Sequence, residues 1–323
     1  MHKPVLLKEV IKFLEPCPDQ NFVDATVGGG GHALEILKLT PPHGKVLGLD
    51  WDEEAIQGLR LETGSIPGSR KGAWETEPPQ VSQYARRDRS GIEPQSLDPV
   101  LSHRLILRQG NFAQIEEIVS GENFKNVSGI LFDLGFRTSQ LDDGRGFSYL
   151  SDEPLDMRYS SANSLTAAEV INTWPEQELE RIFKEYGEER QAKKIAKVIV
   201  ESRDQKKITT SRELAEIINR ISGSHRIKTL ARIFQALRIA VNRELENIDL
   251  GLEGAWHILE GGGRLAVISF HSLEDRLVKN FFNQKYKETG AKILTKKPVT
   301  PTTEEIQDNI KSRSAKLRVI IKI

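Results

Sequence analysis

A single cysteine, Cys17, stands in 323 residues. An intramolecular disulfide and a thiolate metal cluster are therefore excluded, and a reducing compartment fits. No run approaches the roughly 18 consecutive apolar residues that a membrane helix needs. The N-terminus also lacks the basic, apolar and small-residue succession of a signal peptide. Neither sign of charge dominates, since 46 Lys+Arg meet 46 Asp+Glu. Nucleic-acid binding must then come from local basic patches and not from a whole-molecule field. H-E-x-x-H is missing too, so no metal is expected. These absences predict a soluble, cytoplasmic chain with no membrane partner.

What is present is a glycine bend at the end of a strand. Phe22-Val-Asp-Ala-Thr breaks into Gly28-Gly-Gly-Gly31, and a helical pattern follows at His32. A second apolar run closes on Asp50, about 20 residues further on. Glycines let backbone approach a ligand closely, and the helix start offers unpaired N–H groups. A carboxylate at Asp50 can accept both hydroxyls of a ribose. The dinucleotide fingerprint needs a third glycine inside the helix, and Ala33 occupies that place. No G-K-[ST] ending makes a P-loop. An adenosine cofactor without a pyrophosphate, S-adenosylmethionine, fits better.

Strand patterns recur at Lys45 to Asp50, Arg104 to Gln109, Val127 to Leu134, Arg264 to Phe270 and Leu317 to Ile323. Between Thr63 and His103 periodicity dissolves into Gly, Pro, Ser and Arg, which reads as a long loop insertion. About a hundred residues after the fourth strand are mostly helical, and Leu230 to Leu259 reads as one or two long helices stopped by Gly261-Gly-Gly263. Strands on both sides of a helical block predict an α/β, Rossmann-like, doubly wound and mostly parallel sheet with an inserted helical domain. In such sheets ligands sit beyond the carboxyl ends of the strands. The candidate positions are Gly30, Gly31 and His32, Asp50, Phe112, Asp133 and His271. Phe112 reads equally as an adenine platform or a core aromatic. Asp133 closes an otherwise apolar strand, where an acid needs partners.

These pieces, with His2-Lys-Pro-Val-Leu-Leu7, Gln140-Leu-Asp-Asp143, Arg145-Gly-Phe-Ser148, Pro154-Leu-Asp-Met-Arg158, Tyr186-Gly-Glu188, Phe234 to Leu245, Ser269-Phe-His-Ser-Leu-Glu-Asp-Arg276 and Ser312 to Arg318, run in order along almost the whole chain. The chain resembles the ribosomal RNA small subunit methyltransferase H family (MraW), which methylates the exocyclic N4 of a decoding-region cytidine in 16S rRNA. The resemblance implies a class I methyltransferase fold and S-adenosylmethionine as cofactor. It puts the cofactor contacts at Gly30, Gly31, His32, Asp50, Phe112, Asp133 and Gln140. It also divides the chain into a methyltransferase domain, 1–139 and 229–323, and an inserted substrate-recognition domain, 140–228. The expected partner is 16S rRNA within the small ribosomal subunit; a homodimer stays open.

Two departures stand out. Asp133-Leu-Gly-Phe-Arg-Thr-Ser-Gln140 replaces the family's D-L-G-V-S-S-P-Q, and the 63–103 stretch is longer than usual. Asp133 is the candidate catalytic group, as acceptor for the amino N–H of the target base, with a backbone carbonyl of the Leu134 to Thr138 loop as the alternative acceptor. Arg145, Arg158, His271, Arg313, Lys316 and Arg318 are the candidate RNA contacts. Two other readings share the sheet. A NAD-dependent oxidoreductase is opposed by the missing third glycine, and a cofactor-binding ribosome-assembly factor without catalysis is kept open by the altered Phe136 to Ser139 loop.

Overall fold

Alternation along the strands divides the sheet's apolar residues between two faces. A computed structural model describes residues 4–63, 102–135, 144–160, 163–223 and 226–323. Most of the expected 63–103 insertion, the Phe136 to Ser139 loop and Gln140 lie outside the described residues. The strands are β1 (Asn21–Asp24), β2 (Val46–Asp50), β3 (Leu105–Gln109), β4 (Val127–Asp133), β5 (Leu259–Ser269), β6 (Lys292–Ile293) and β7 (Lys316–Ile321). They form one seven-stranded sheet in the order β3-β2-β1-β4-β5-β7-β6. The β1 to β5 pairings are parallel, and β7 runs antiparallel to both β5 and β6. This is the doubly wound α/β sheet expected.

Residues one apart on a strand enter different cores, as the two-residue period of side chains demands. Phe22, Val46, Leu131, Ala266 and Leu317 pack with helices α1 (Leu7–Leu14), α2 (Gly31–Leu39) and α3 (Glu53–Thr63). Val23, Leu47, Ile130, Phe132 and Val267 pack with α4 (Ile115–Gly121), α10 (Glu244–Ile258) and α11 (Ser272–Thr289). Strand β4 is buried on both faces, which accounts for its nearly unbroken apolar run. Among the described residues no helix is long and apolar enough to cross a membrane.

The helices between β4 and β5 build a third core of their own. They are α5 (Ala167–Thr173), α6 (Glu176–Glu185), α7 (Ala192–Gln205), α8 (Ser211–Ser222) and α9 (Arg226–Asn242). Thr166 and Thr210 start α5 and α8 with capping boxes to Glu169 and Glu213, each satisfying N–H groups that a bare helix end leaves open. The resemblance puts the return to the sheet domain at residue 229. Packing carries the helical core further, through Leu230, Ile233, Leu237 and Val241. The long Leu230 to Leu259 stretch is two helices, α9 and α10, because Arg243 takes a left-handed φ of 51° between them. Residues Gly261 to Gly263 lie inside β5 instead of ending before it.

Candidate functional site

Strand β1 lies between β2 and β4, and the chain's crossovers leave it to opposite sides there. A crevice opens at such a point beyond the carboxyl ends of the strands. Here it is a cavity of about 430 Å³ whose walls include Thr26, Gly28, Gly29, Gly31, His32, Asp50, Trp51, Phe112 and Asp133.

The glycine bend is built from the sheet outward. The Val27 N–H donates to Leu49 O at 2.7 Å, tying the bend to β2. The Gly28 N–H donates to Asp50 Oδ2 at 3.0 Å, and the Asp52 N–H to Asp50 Oδ1 at 2.9 Å. Asp50 thus holds the bend and the start of α3 as well as facing the cavity. Gly30 precedes α2 with φ +76°, and a Cβ there would come within 2.7 Å of the Leu59 side chain. Only glycine takes that conformation without strain in so tight a space. Gly30 shapes the turn, while Gly28, Gly29 and Gly31 reach the cavity wall.

His32 is buried, and its Nε2 donates to Val5 O at 2.9 Å. Its Nδ1 lies 3.9 Å from Asp133 Oδ2. The Asp133 N–H donates to Thr26 Oγ1 at 2.7 Å, while Asp133 Oδ1 is buried without a hydrogen-bond partner. Burial pushes the Asp133 carboxyl up to about 7, helped by the charges of Asp24 and Glu274 and opposed by the Gly135 N–H. Asp24, at the end of the adjacent β1, is likewise raised to about 7 by burial, against bonds from Thr26 and the Ala33 N–H. Both carboxyls therefore titrate near neutrality, where an acid–base group is most useful. Phe112 has a place in both the cavity wall and the core. It lines the cavity, and it packs edge-on to Phe132 with ring centroids 5.6 Å apart.

The far wall is made of residues outside the candidate list: Tyr159, Glu244, Asn247, Phe270 and Glu274. Arg238 donates to both Glu244 oxygens, Nε to Oε1 at 2.7 Å and Nη2 to Oε2 at 2.9 Å. The Tyr159 hydroxyl also donates to Glu244 Oε1, at 3.1 Å. Burial works against the Arg238 charge, but Glu244 more than offsets this and raises its pKa. Glu274 caps α11 by accepting from the Phe270 N–H at 2.7 Å. Burial alone would raise Glu274, yet His271, that N–H and Arg238 leave it below the ordinary range. Ligand atoms of Glu244, His271 and Glu274 lie within 4.8 Å of one another. The Arg238 guanidinium already supplies positive charge to Glu244 in that group.

The sequence-derived RNA contacts are scattered. Arg145 donates to the Arg158 and Tyr159 carbonyls and lies 3.9 Å from Asp52. Arg158 is held by Asp156 and by Asn163 O. Arg318 and Lys316 both pair with Asp275, at 2.7 and 3.4 Å. Arg313 is exposed in a short 3-10 turn, Ile310–Ser314. His271 is the N-cap of α11, and its Nε2 lies 3.1 Å from Glu274 Oε1. Charge suggested the basic positions and a place past the fifth strand suggested His271, and most of that charge is engaged inside the molecule. Trp51 could have been found by its adjacency to Asp50. Glu244 and Glu274 lie in two of the stretches that carry the resemblance, but as acids in the first turns of helices nothing in composition singled them out.

The residues present suit an adenosyl cofactor: an acid at the end of β2, a glycine bend at a helix start, and a buried carboxylate oxygen lacking a partner where a cation could meet it. Comparison with known proteins agrees. The sequence model of the MraW methylase family matches residues 1–62 and 87–323. A ribosomal RNA small subunit methyltransferase H from Persephonella marina is 42% identical over 326 residues, covering 100% of this chain and 99% of that protein. Its namesake from Caldicellulosiruptor saccharolyticus is 42% identical over 345 residues, covering 100% and 99%. A third, from Syntrophotalea carbinolica, is 40% identical over 339 residues, covering 99% and 97%.

Proposed function

This chain belongs to the MraW methylase family, and on that premise we propose that it methylates small-subunit ribosomal RNA at the exocyclic N4 of a decoding-region cytidine. Its fold is that of a class I methyltransferase, and its cofactor is S-adenosylmethionine. When bound, the cofactor supplies an electrophilic methyl group on a sulfonium.

The protein's own residues then have three tasks. Asp50 accepts the ribose hydroxyls, as an acid at the end of the second strand does in such crevices. The bend Gly28 to Gly31 brings backbone N–H groups close to the cofactor's charged end. Asp133 carries the chemistry. The amino group of cytosine is a poor nucleophile, because its lone pair is delocalised into the ring. An acceptor on one N–H returns electron density to nitrogen, and the same carboxylate takes up the proton that nitrogen sheds after transfer. A target within a helix must first be splayed out to reach this depth. Alignment for in-line attack supplies the rest.

The observation that carries this reading is the buried, unpartnered Asp133 Oδ1 at the end of β4, beside the glycine bend. The test is incubation with labelled S-adenosylmethionine and small ribosomal subunits lacking the modification, followed by mapping of the label. Label on N4 of one cytidine is the expected result. Label on another base, or cofactor binding with no transfer, overturns it.

A further inference from the structure

One aromatic residue bridges the two ends of the cavity. Tyr159 lines the cavity from the helical side of the molecule. One contact is with the cofactor end: its ring meets Trp51 edge-on, centroids 6.1 Å apart at 69°. Another is with the acid end: its hydroxyl donates to Glu244, on the same wall as Glu274. Phe147 backs the ring in a near-parallel stack, with centroids 5.8 Å apart at 16°. The backbone is fixed as well, since the Tyr159 N–H donates to Asn242 Oδ1 at 2.8 Å.

A core aromatic buries its faces, whereas Tyr159 is only partly buried and adjoins open volume. The Glu244 carboxylate is engaged by Arg238 on both oxygens. Its remaining task is to receive the phenol.

We propose that Tyr159 is the platform on which the methyl-accepting base stacks, held in place by Phe147 behind it and by the Arg238–Glu244 pair at its hydroxyl. Base–aromatic stacking is tolerant of base identity, because every base presents a π face. Tyr159 therefore supplies depth and orientation, and Asp133 in the same cavity supplies the choice of an amino edge, which donates, over a carbonyl edge, which accepts. Phe270, also in the wall, is a second apolar surface for the same base.

This inference rests on the base-methylation reading, and the test keeps the two separable. The proteins compared are the full chain, Tyr159→Phe and Tyr159→Leu; leucine fills much of the volume without a π face. Calorimetry gives cofactor affinity, and initial rates give kcat/KM for unmodified small subunits. Tyr159→Leu is expected to lose about 5- to 150-fold in kcat/KM for RNA, the range of one base stack, with cofactor affinity unchanged. Tyr159→Phe is expected to keep most activity, since the ring remains. Equal loss in both variants would make the hydroxyl and not the face the working part, and overturn the proposal. A fall in cofactor affinity matching the loss of activity would assign Tyr159 to the cofactor and overturn it as well. Full activity in Tyr159→Leu sinks the platform alone, while no methyl transfer by the unsubstituted chain sinks the base-methylation reading together with it. Were Tyr159→Leu to fail to fold, Tyr159→Trp decides between the outcomes: retained kcat/KM supports stacking, and loss with intact cofactor binding refutes it.

Discussion

At one end of the cavity the walls come from residues 26–32 and 50–52, within about a turn of two neighbouring strands. At the other end they come from Tyr159, Glu244, Phe270 and Glu274, which are far apart in sequence and belong to three separate segments. The first end is largely backbone: a glycine bend fixed by N–H donations to Leu49 O and Asp50. The second is side chain on side chain, with Arg238, Glu244 and Tyr159 holding one another. A ligand common to many enzymes can be gripped by generic backbone. A particular acceptor needs side chains brought together by the whole fold. The difference predicts that damage at the first end appears in cofactor affinity, and damage at the second in transfer to RNA.

The largest expected effect is at the junction of the two ends. Asp133→Asn keeps the shape but removes the proton acceptor, and turnover should fall about 10²- to 10⁴-fold, with cofactor affinity changed far less. Single-turnover rates alongside a calorimetric titration check this; equal loss in both would move Asp133 into pure cofactor binding. Next is Asp50→Ala, which removes the acceptor proposed for the ribose and releases two backbone N–H groups, those of Gly28 and Asp52. Cofactor binding should weaken by about 100-fold or more, and saturating cofactor should restore much of the turnover.

A smaller effect follows from pH. Asp24 and Asp133 have folded-state pKa values raised to about 7, above the ordinary carboxylate value near 3.9. Between about pH 4 and 7 the folded chain therefore binds more protons than the unfolded one, and the stability these groups contribute is lost as pH rises through 7. The sulfonium of the cofactor favours ionised Asp133, while the demethylated product, which lacks that charge, does not. The ratio of the two affinities should climb over the same window and flatten above about pH 8. In Asp133→Asn that slope should vanish, and a persistent slope would assign it to another group.

The mildest change lies outside the cavity. Glu188 joins the helical core to the start of α11, accepting from Ser272 Oγ at 2.6 Å and Arg276 Nη2 at 2.8 Å. An exposed pair of this kind contributes at most about 1 kcal/mol. Glu188→Gln should lower the melting midpoint by less than about 4 °C and leave cofactor binding intact. A large loss of cofactor affinity would show that the two regions are coupled more tightly than their contacts imply.

Legibility in the sequence follows the same division. The parallel strands, the bend, Asp50 and Asp133 could be read because each sits beside its own punctuation: an apolar run ending in glycine or an acid. The helical block was visible from periodicity, but its extent was not, since nothing in Leu230 to Val241 says which core its apolar face joins. The break at Arg243 was hidden too, as a left-handed arginine carries no signature comparable to glycine. Arg145, Arg158 and Arg318 looked like phosphate contacts because composition gives charge without direction. In the fold they turn toward carbonyls, Asp156 and Asp275. The trio of Tyr159, Arg238 and Glu244 exists only once α9 and α10 are packed against the segment after β4.

The Leu6 N–H donates to Glu305 Oε1 at 2.7 Å, while neighbouring Pro4 and Val5 help wall the cavity and Val5 receives the His32 ring. A ribosome makes residue 305 long after residue 6. During synthesis, the segment around Leu6 must therefore wait for a clasp that emerges some three hundred residues later, and that corner of the methyl-donor compartment cannot close before residue 305 is made.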